Sequence, residues 1–150
     1  MRRWIICALL LTLVSLSGCV PMQSLQNDTK TDDMLLKAIT TIQNGDEEGF
    51  RALFWEGRFP ENEQNSAIFA KMQECFNGEL VSWKKTSQDR EKNYSSGMEI
   101  VTCDYQVVID NNENYVKVVR AADKNQSLLQ MFSVTPEASQ PTATTLAGNY

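Results

Sequence analysis

From Asp32 onward the apolar residues recur first at helical and then at strand spacing. Leu35, Leu36, Ile39 and Ile42 repeat every three or four positions and predict a helix capped by Asp32 or Asp33 and stopped at Asn44-Gly45. Asp46 reads as the cap of a second helix, with Glu47 and Glu48 at the positive end of its dipole. Phe50, Leu53 and Phe54 form its apolar stripe, Trp55 and Phe59 flank that stripe, and Gly57 ends it. Pro60 punctuates the chain. Asn62 or Glu63 then opens a third helix through Ala67, Ile68, Met72 and Cys75, closed by Asn77-Gly78.

Beyond Gly78 the period falls to two. Residues 80–86 predict a short strand and residues 87–97 a long polar loop. Residues 98–110 carry the cleanest strand pattern, with Val101, Cys103, Tyr105, Val107 and Ile109 on one face and Thr102, Asp104 and Gln106 on the other. Asn111-Asn112 predicts a hairpin turn, residues 115–122 the return strand, residues 123–125 a second turn, and residues 127–135 a last strand. Three helices followed by an antiparallel meander define an α+β class, with one domain over residues 32–135. Residues 136–150 are rich in Ser, Thr, Ala and Gln with few core-forming side chains, and are expected to be a disordered tail.

The start of the chain is organised differently. Arg2 and Arg3 precede an uncharged stretch over residues 4–16, followed by Ser17, Gly18 and Cys19. A basic start, a short apolar run and small residues mark an export signal. The run is shorter than the roughly 20 apolar residues that cross a bilayer. Leu16-Ser17-Gly18-Cys19 resembles the lipobox of bacterial lipoproteins; the competing reading is an ordinary secretory signal that happens to end at a cysteine. The resemblance implies removal of residues 1–18, a diacylglyceryl group on the Cys19 sulfur and acylation of the new amine. Two or more acyl chains, at about 0.8 kcal/mol per buried CH₂, hold a protein stably on a membrane. With Val20 rather than aspartate after the cysteine, the resemblance further implies the outer membrane, facing the periplasm, in a Gram-negative host. Residues 20–31 are polar and aperiodic and are expected to be a tether with an r.m.s. reach of about 20 Å.

Charge sharpens this picture. Removing residues 1–18 takes two arginines away, so 12 basic residues face 19 acidic ones and the formal charge moves from −5 to −7. An acidic domain lacks the cations that displace counterions from phosphate, which excludes nucleic acid as a partner. It gains no attraction from anionic lipid either, so membrane attachment falls to the lipid on Cys19. Of four cysteines, Cys7 departs with the leader and Cys19 is modified. Cys75 and Cys103 remain and are expected to pair as a disulfide in an oxidising compartment, contributing roughly 3–4 kcal/mol. Two buried thiols or a metal pair are the alternatives.

The inventory for catalysis is thin. The chain has no histidine, which excludes Ser-His-Asp, Cys-His and histidine–metal arrangements within it. Its seven glycines stand singly, with no phosphate-cradling loop. No catalytic residue, metal or cofactor is assigned. Glu47-Glu48 reads as dipole complementation, and alternation puts Asp104 on the wet face opposite Cys103. Phe54, Trp55, Phe59, Phe69, Trp83, Tyr105 and Phe132 are either core or the lining of a cavity between helices and sheet. Lys84-Lys85 beside Trp83 reads as protection of a sheet edge, with a partner contact as the alternative.

The Asn44-Gly45-Asp46 turn between two helices, Phe50 and Phe54 on the second helix, and a closing strand with Phe132-Ser133-Val134 resemble small NTF2-like, cystatin-like domains. The resemblance covers residues 32–135 through element order rather than a diagnostic motif. It implies a curved sheet wrapping the helices into a cone. Some enzymes of that fold carry an acid where Asp104 stands. Together these readings predict a non-enzymatic, membrane-anchored envelope protein that binds or assists another envelope protein. The alternatives are a carrier of a small molecule or lipid in the cone, and an enzyme using Asp104.

Overall fold

The computed structural model describes residues 28–137; the leader, Cys19, the first part of the tether and most of the tail lie outside the described residues. Helices α1 (Thr29–Gln43), α2 (Glu47–Arg51) and α3 (Glu63–Cys75) precede strands β1 (Leu80–Asn93), β2 (Met98–Ile109), β3 (Asn112–Ala122) and β4 (Ser127–Pro136). The strands form one curved antiparallel sheet in the order β1-β2-β3-β4, so the α+β class read from the sequence is the one observed.

Helix α1 begins four residues earlier than a cap at Asp32 predicts. Asp28, not Asp32 or Asp33, is the cap: its carboxylate accepts from the Lys30 and Thr31 N–H groups. The reason is tertiary, because a buried arginine on β3 holds that carboxylate in place. Leu35, Ala38, Ile39 and Ile42 form the buried face, with Leu35 and each isoleucine contributing about 1.5–3 kcal/mol when fully withdrawn from water. The helix stops at Asn44, and Gly45 follows at φ +70°, a conformation that suits glycine.

Helix α2 is shorter than expected and ends at Arg51 rather than near Gly57. Past it the chain leaves the helix to pair with β4. The Trp55 N–H donates to the Leu129 carbonyl at 2.9 Å, and the Leu129 N–H donates to the Leu53 carbonyl at 2.8 Å. Phe54 thus bridges Leu129 in parallel and covers part of the β4 edge.

The predicted loop over residues 87–97 is mostly strand. β1 continues to Asn93, paired with Met98, and only residues 94–97 turn. β1 is an edge strand exposed along most of its length, so no apolar alternation marks its second half; the ladder to β2 makes it a strand. A bulge between Lys85 and Ser87 leaves Thr86 unmatched. It brings Gln88 onto the face that Trp83 and Lys85 occupy before it. The next hairpin turns at Asp110-Asn111, one residue before the expected pair, with Asp110 at φ +52° and Ile109 facing Asn112.

The core lies between the concave sheet face and the helices. β2 contributes Val101, Cys103, Tyr105, Val107 and Ile109, β3 contributes Val116 and Val118, and β4 contributes Leu129, Phe132 and Val134. In β4 the inward residues switch from odd to even numbers. A bulge between Val119 and Arg120, which face Met131 and Leu129, inserts Gln130 and keeps both sets pointing inward.

Candidate functional site

Polar side chains from five elements converge where α1 starts. Arg120 on β3 is only 2% exposed. Its guanidinium lies 2.6 Å from the Asp28 carboxylate and 3.6 Å from Glu99 on β2. It also donates to the hydroxyls of Thr31 and Ser127, both at 3.0 Å. Lys85 on β1 forms a second centre. Its ammonium is 2.8 Å from Asp32, 3.3 Å from the Asp28 carbonyl and 5.9 Å from the centroid of the Tyr105 ring. The Tyr105 hydroxyl donates to the same Asp32 carboxylate at 2.7 Å.

A buried arginine is tolerated only when its charge is matched and its N–H groups are occupied. Here two carboxylates and two hydroxyls from α1, β2 and β4 meet that demand. Burial pushes the Asp28 carboxyl up, but hydrogen bonds from Arg120 and Thr31 and the guanidinium charge outweigh it and hold the carboxyl below its ordinary value. Burial, reinforced by the bond to Asp32, raises Tyr105 far above the usual phenol range, so its hydroxyl stays a donor. Burial likewise raises the Cys103 thiol. Asp28, Tyr105 and Cys103 are therefore held in single protonation states near neutrality, and the cluster fixes the first turn of α1 onto the sheet.

The aromatic residues expected either as core or as a cavity lining fall into three places. Phe54, Phe69 and Phe132 pack with Phe59 around Phe50, whose ring centroid lies 5.2 Å from Phe54, 5.3 Å from Phe59, 5.5 Å from Phe69 and 5.7 Å from Phe132. Trp83 meets Tyr105 edge to face at 5.9 Å. Trp55 stands apart and donates its ring N–H to the Ala121 carbonyl at 3.2 Å. These rings fill the space between helices and sheet with one another. Clefts of about 540, 450 and 320 Å³ open elsewhere on the surface, and none of the three is lined by these aromatics.

The expected Cys75–Cys103 disulfide is corrected: both are free thiols. Cys75 ends α3, where its carbonyl accepts from Asn114, the partner of Val107 in the ladder. Cys103 lies four residues from Val107 along β2, about 13 Å at strand rise. A disulfide requires the two Cα atoms within about 7 Å.

Other candidates lie where alternation puts them. Asp104 is on the outer sheet face, 3.7 Å from Lys117 and hydrogen-bonded by Ser87. Glu47 opens α2 and pairs with Arg51 at 2.9 Å. Of the two edge lysines, Lys84 is exposed as expected, whereas Lys85 turns inward to Asp32. Arg120, at the centre of the cluster, has no role in the sequence-based expectations, and neither do its partners Asp28, Glu99, Thr31 and Ser127. Its signal was its phase: it continues the even-numbered series of Val116 and Val118, which puts a charge on the buried face of β3.

Comparison with models of known protein families finds none that matches this chain, and comparison with curated proteins finds no significant relative.

Proposed function

We propose that this chain is a lipid-anchored protein of the cell envelope whose mature domain is a non-enzymatic binding or accessory module of NTF2-like type. The observation that carries the proposal is Leu16-Ser17-Gly18-Cys19 at the end of a basic, then apolar, leader. The helix-then-meander order on a curved sheet supports the fold type. Val20 after the cysteine favours the outer membrane of a Gram-negative host, with the domain in the periplasm. The packing of Phe50, Phe54, Phe59, Phe69 and Phe132 on one another favours an accessory module over a carrier, which needs free volume for its cargo.

Metabolic labelling with a fatty acid tests the anchor. Cys19 should carry the label and the protein should sediment with membranes, while Cys19→Ser abolishes both. An unlabelled protein that still sediments would overturn the proposal. Cross-linking in intact cells followed by capture tests the accessory role, with one envelope protein recovered in stoichiometric amount as the expected result. Recovery of a tightly bound small molecule or lipid instead would favour the carrier.

A further inference from the structure

We infer that the β1–β2 turn is the membrane-facing end of the domain, with Tyr94 and Lys92 seated in the headgroup region of the bilayer that holds Cys19. The inference rests on the lipid-anchor reading and adds an orientation to it.

Eight residues separate Cys19 from Asp28. Whatever their course, nine Cα-to-Cα steps span at most about 30 Å. Their far end is not free to wander, because Asp28 is held 2.6 Å from Arg120. The same guanidinium is 3.6 Å from Glu99, and Glu99 pairs in register with Lys92, one position from the end of β1. The chain therefore enters the domain near the β1–β2 turn. Arg120 pairs with Val101, and from that level the turn before Met98 is about 10 Å away along the strands, whereas the turn after Ile109 is about 26 Å away in the other direction. Putting that opposite turn on the membrane would consume nearly the whole connecting segment. Putting the β1–β2 turn there consumes about a third of it.

The chemistry of the turn fits the same surface. Tyr94 is 87% exposed, the most exposed of the large hydrophobic side chains among the described residues. The Lys92 ammonium lies 5.9 Å from its ring centroid, and Tyr94, Met98 and Ile100 line a cleft of about 450 Å³ beside it, with Lys92 next to the one acid on that lining, Glu91. A tyrosine ring with a polar tip suits the bilayer interface, and a lysine stem reaches from it to phosphate. Residues 92–98 contain one lysine and no acid, in a mature chain with a formal charge of −7.

The test uses the full chain with its native lipid, placed in phosphatidylcholine nanodiscs with and without a gadolinium-chelating headgroup lipid. Amide signals of residues 92–98 should broaden strongly, and those of residues 110–112 should not. Tyr94→Ser should reduce the broadening at least twofold without altering signals elsewhere. Broadening at residues 110–112, no broadening anywhere, or broadening unchanged in Tyr94→Ser overturns the orientation. Mass analysis of the N-terminal peptide separates the two readings. A lipid on Cys19 with an unbroadened turn sinks this inference alone, while an unmodified Cys19 sinks it together with the anchor.

Discussion

The Arg120 guanidinium and the Asp28 carboxylate meet at 2.6 Å across 92 positions of sequence, both almost fully withdrawn from solvent. Asp28 is also the cap of α1, so one carboxylate ends a helix and neutralises a buried cation. Removing either partner leaves an unmatched group inside the protein, which costs about 3–5 kcal/mol. Asp28→Ala should fall near the lower end, since Glu99 stays within 3.6 Å of the guanidinium. Replacing both partners with apolar residues, Asp28→Leu with Arg120→Met, should recover most of the loss. Urea unfolding of the two single variants and the double variant checks this. Strictly additive losses would show that the pair is not coupled.

The pair also sets the acid limb of stability. The Asp28 carboxyl titrates below its ordinary 3.8 in the folded protein, so the unfolded chain binds the proton first. Its contribution is fully present well above the ordinary 3.8 of the unfolded chain and is lost as the pH falls through the folded value. The stability gap between the parent protein and Asp28→Asn should therefore be constant from neutrality to about pH 4.5 and narrow below that. Urea midpoints at pH 7, 4 and 3 measure it, and a gap that is flat to pH 3 contradicts the assignment.

Phe50 has no exposed surface and touches four other phenylalanine rings. Truncation at this hub removes edge-to-face contacts in several directions and leaves a cavity bounded by α2, α3 and β4. Phe50→Ala should lose about 3–5 kcal/mol. Trp55→Phe keeps an aromatic ring but removes the indole N–H and its hydrogen bond along with the second ring, and should lose about 1–2 kcal/mol. Thermal unfolding of the two variants separates the hub from the periphery, and equal losses would mean that Phe50 is not the centre of the cluster.

These contacts also explain what the sequence reveals. α1 and β2 were legible because one face of each is continuously apolar, through Leu35, Ile39 and Ile42 and through Val101 to Ile109. β1 was half hidden, since the bulge at Thr86 breaks its alternation and the inward residues beside it, Lys85 and Gln88, are polar. The early start of α1 is hidden because Asp28 is indistinguishable in sequence from the polar residues around it until Arg120 is placed opposite it. The polar cluster is assembled from residues as far as 92 positions apart, which spacing along the chain does not encode. Only the phase of Arg120 within β3 betrayed it.

Cys75 and Cys103 supply the last prediction. Their spacing suggested a bridge, but Cys75 is at the end of α3 and Cys103 faces the centre of the sheet. Burial pushes both thiols up, which disfavours the reactive thiolate, and Cys103 has no solvent-exposed surface. Alkylation of the folded protein at pH 8 should modify Cys75 slowly and leave Cys103 untouched. In denaturant without reductant, both should be modified at once. Peptide mapping reads the outcome directly, and a linked Cys75–Cys103 peptide would overturn the arrangement of α3 against β2. In an oxidising compartment these thiols depend on the fold for protection. Variants that loosen the core, Phe50→Ala among them, should therefore expose Cys103 to alkylation in step with their loss of stability.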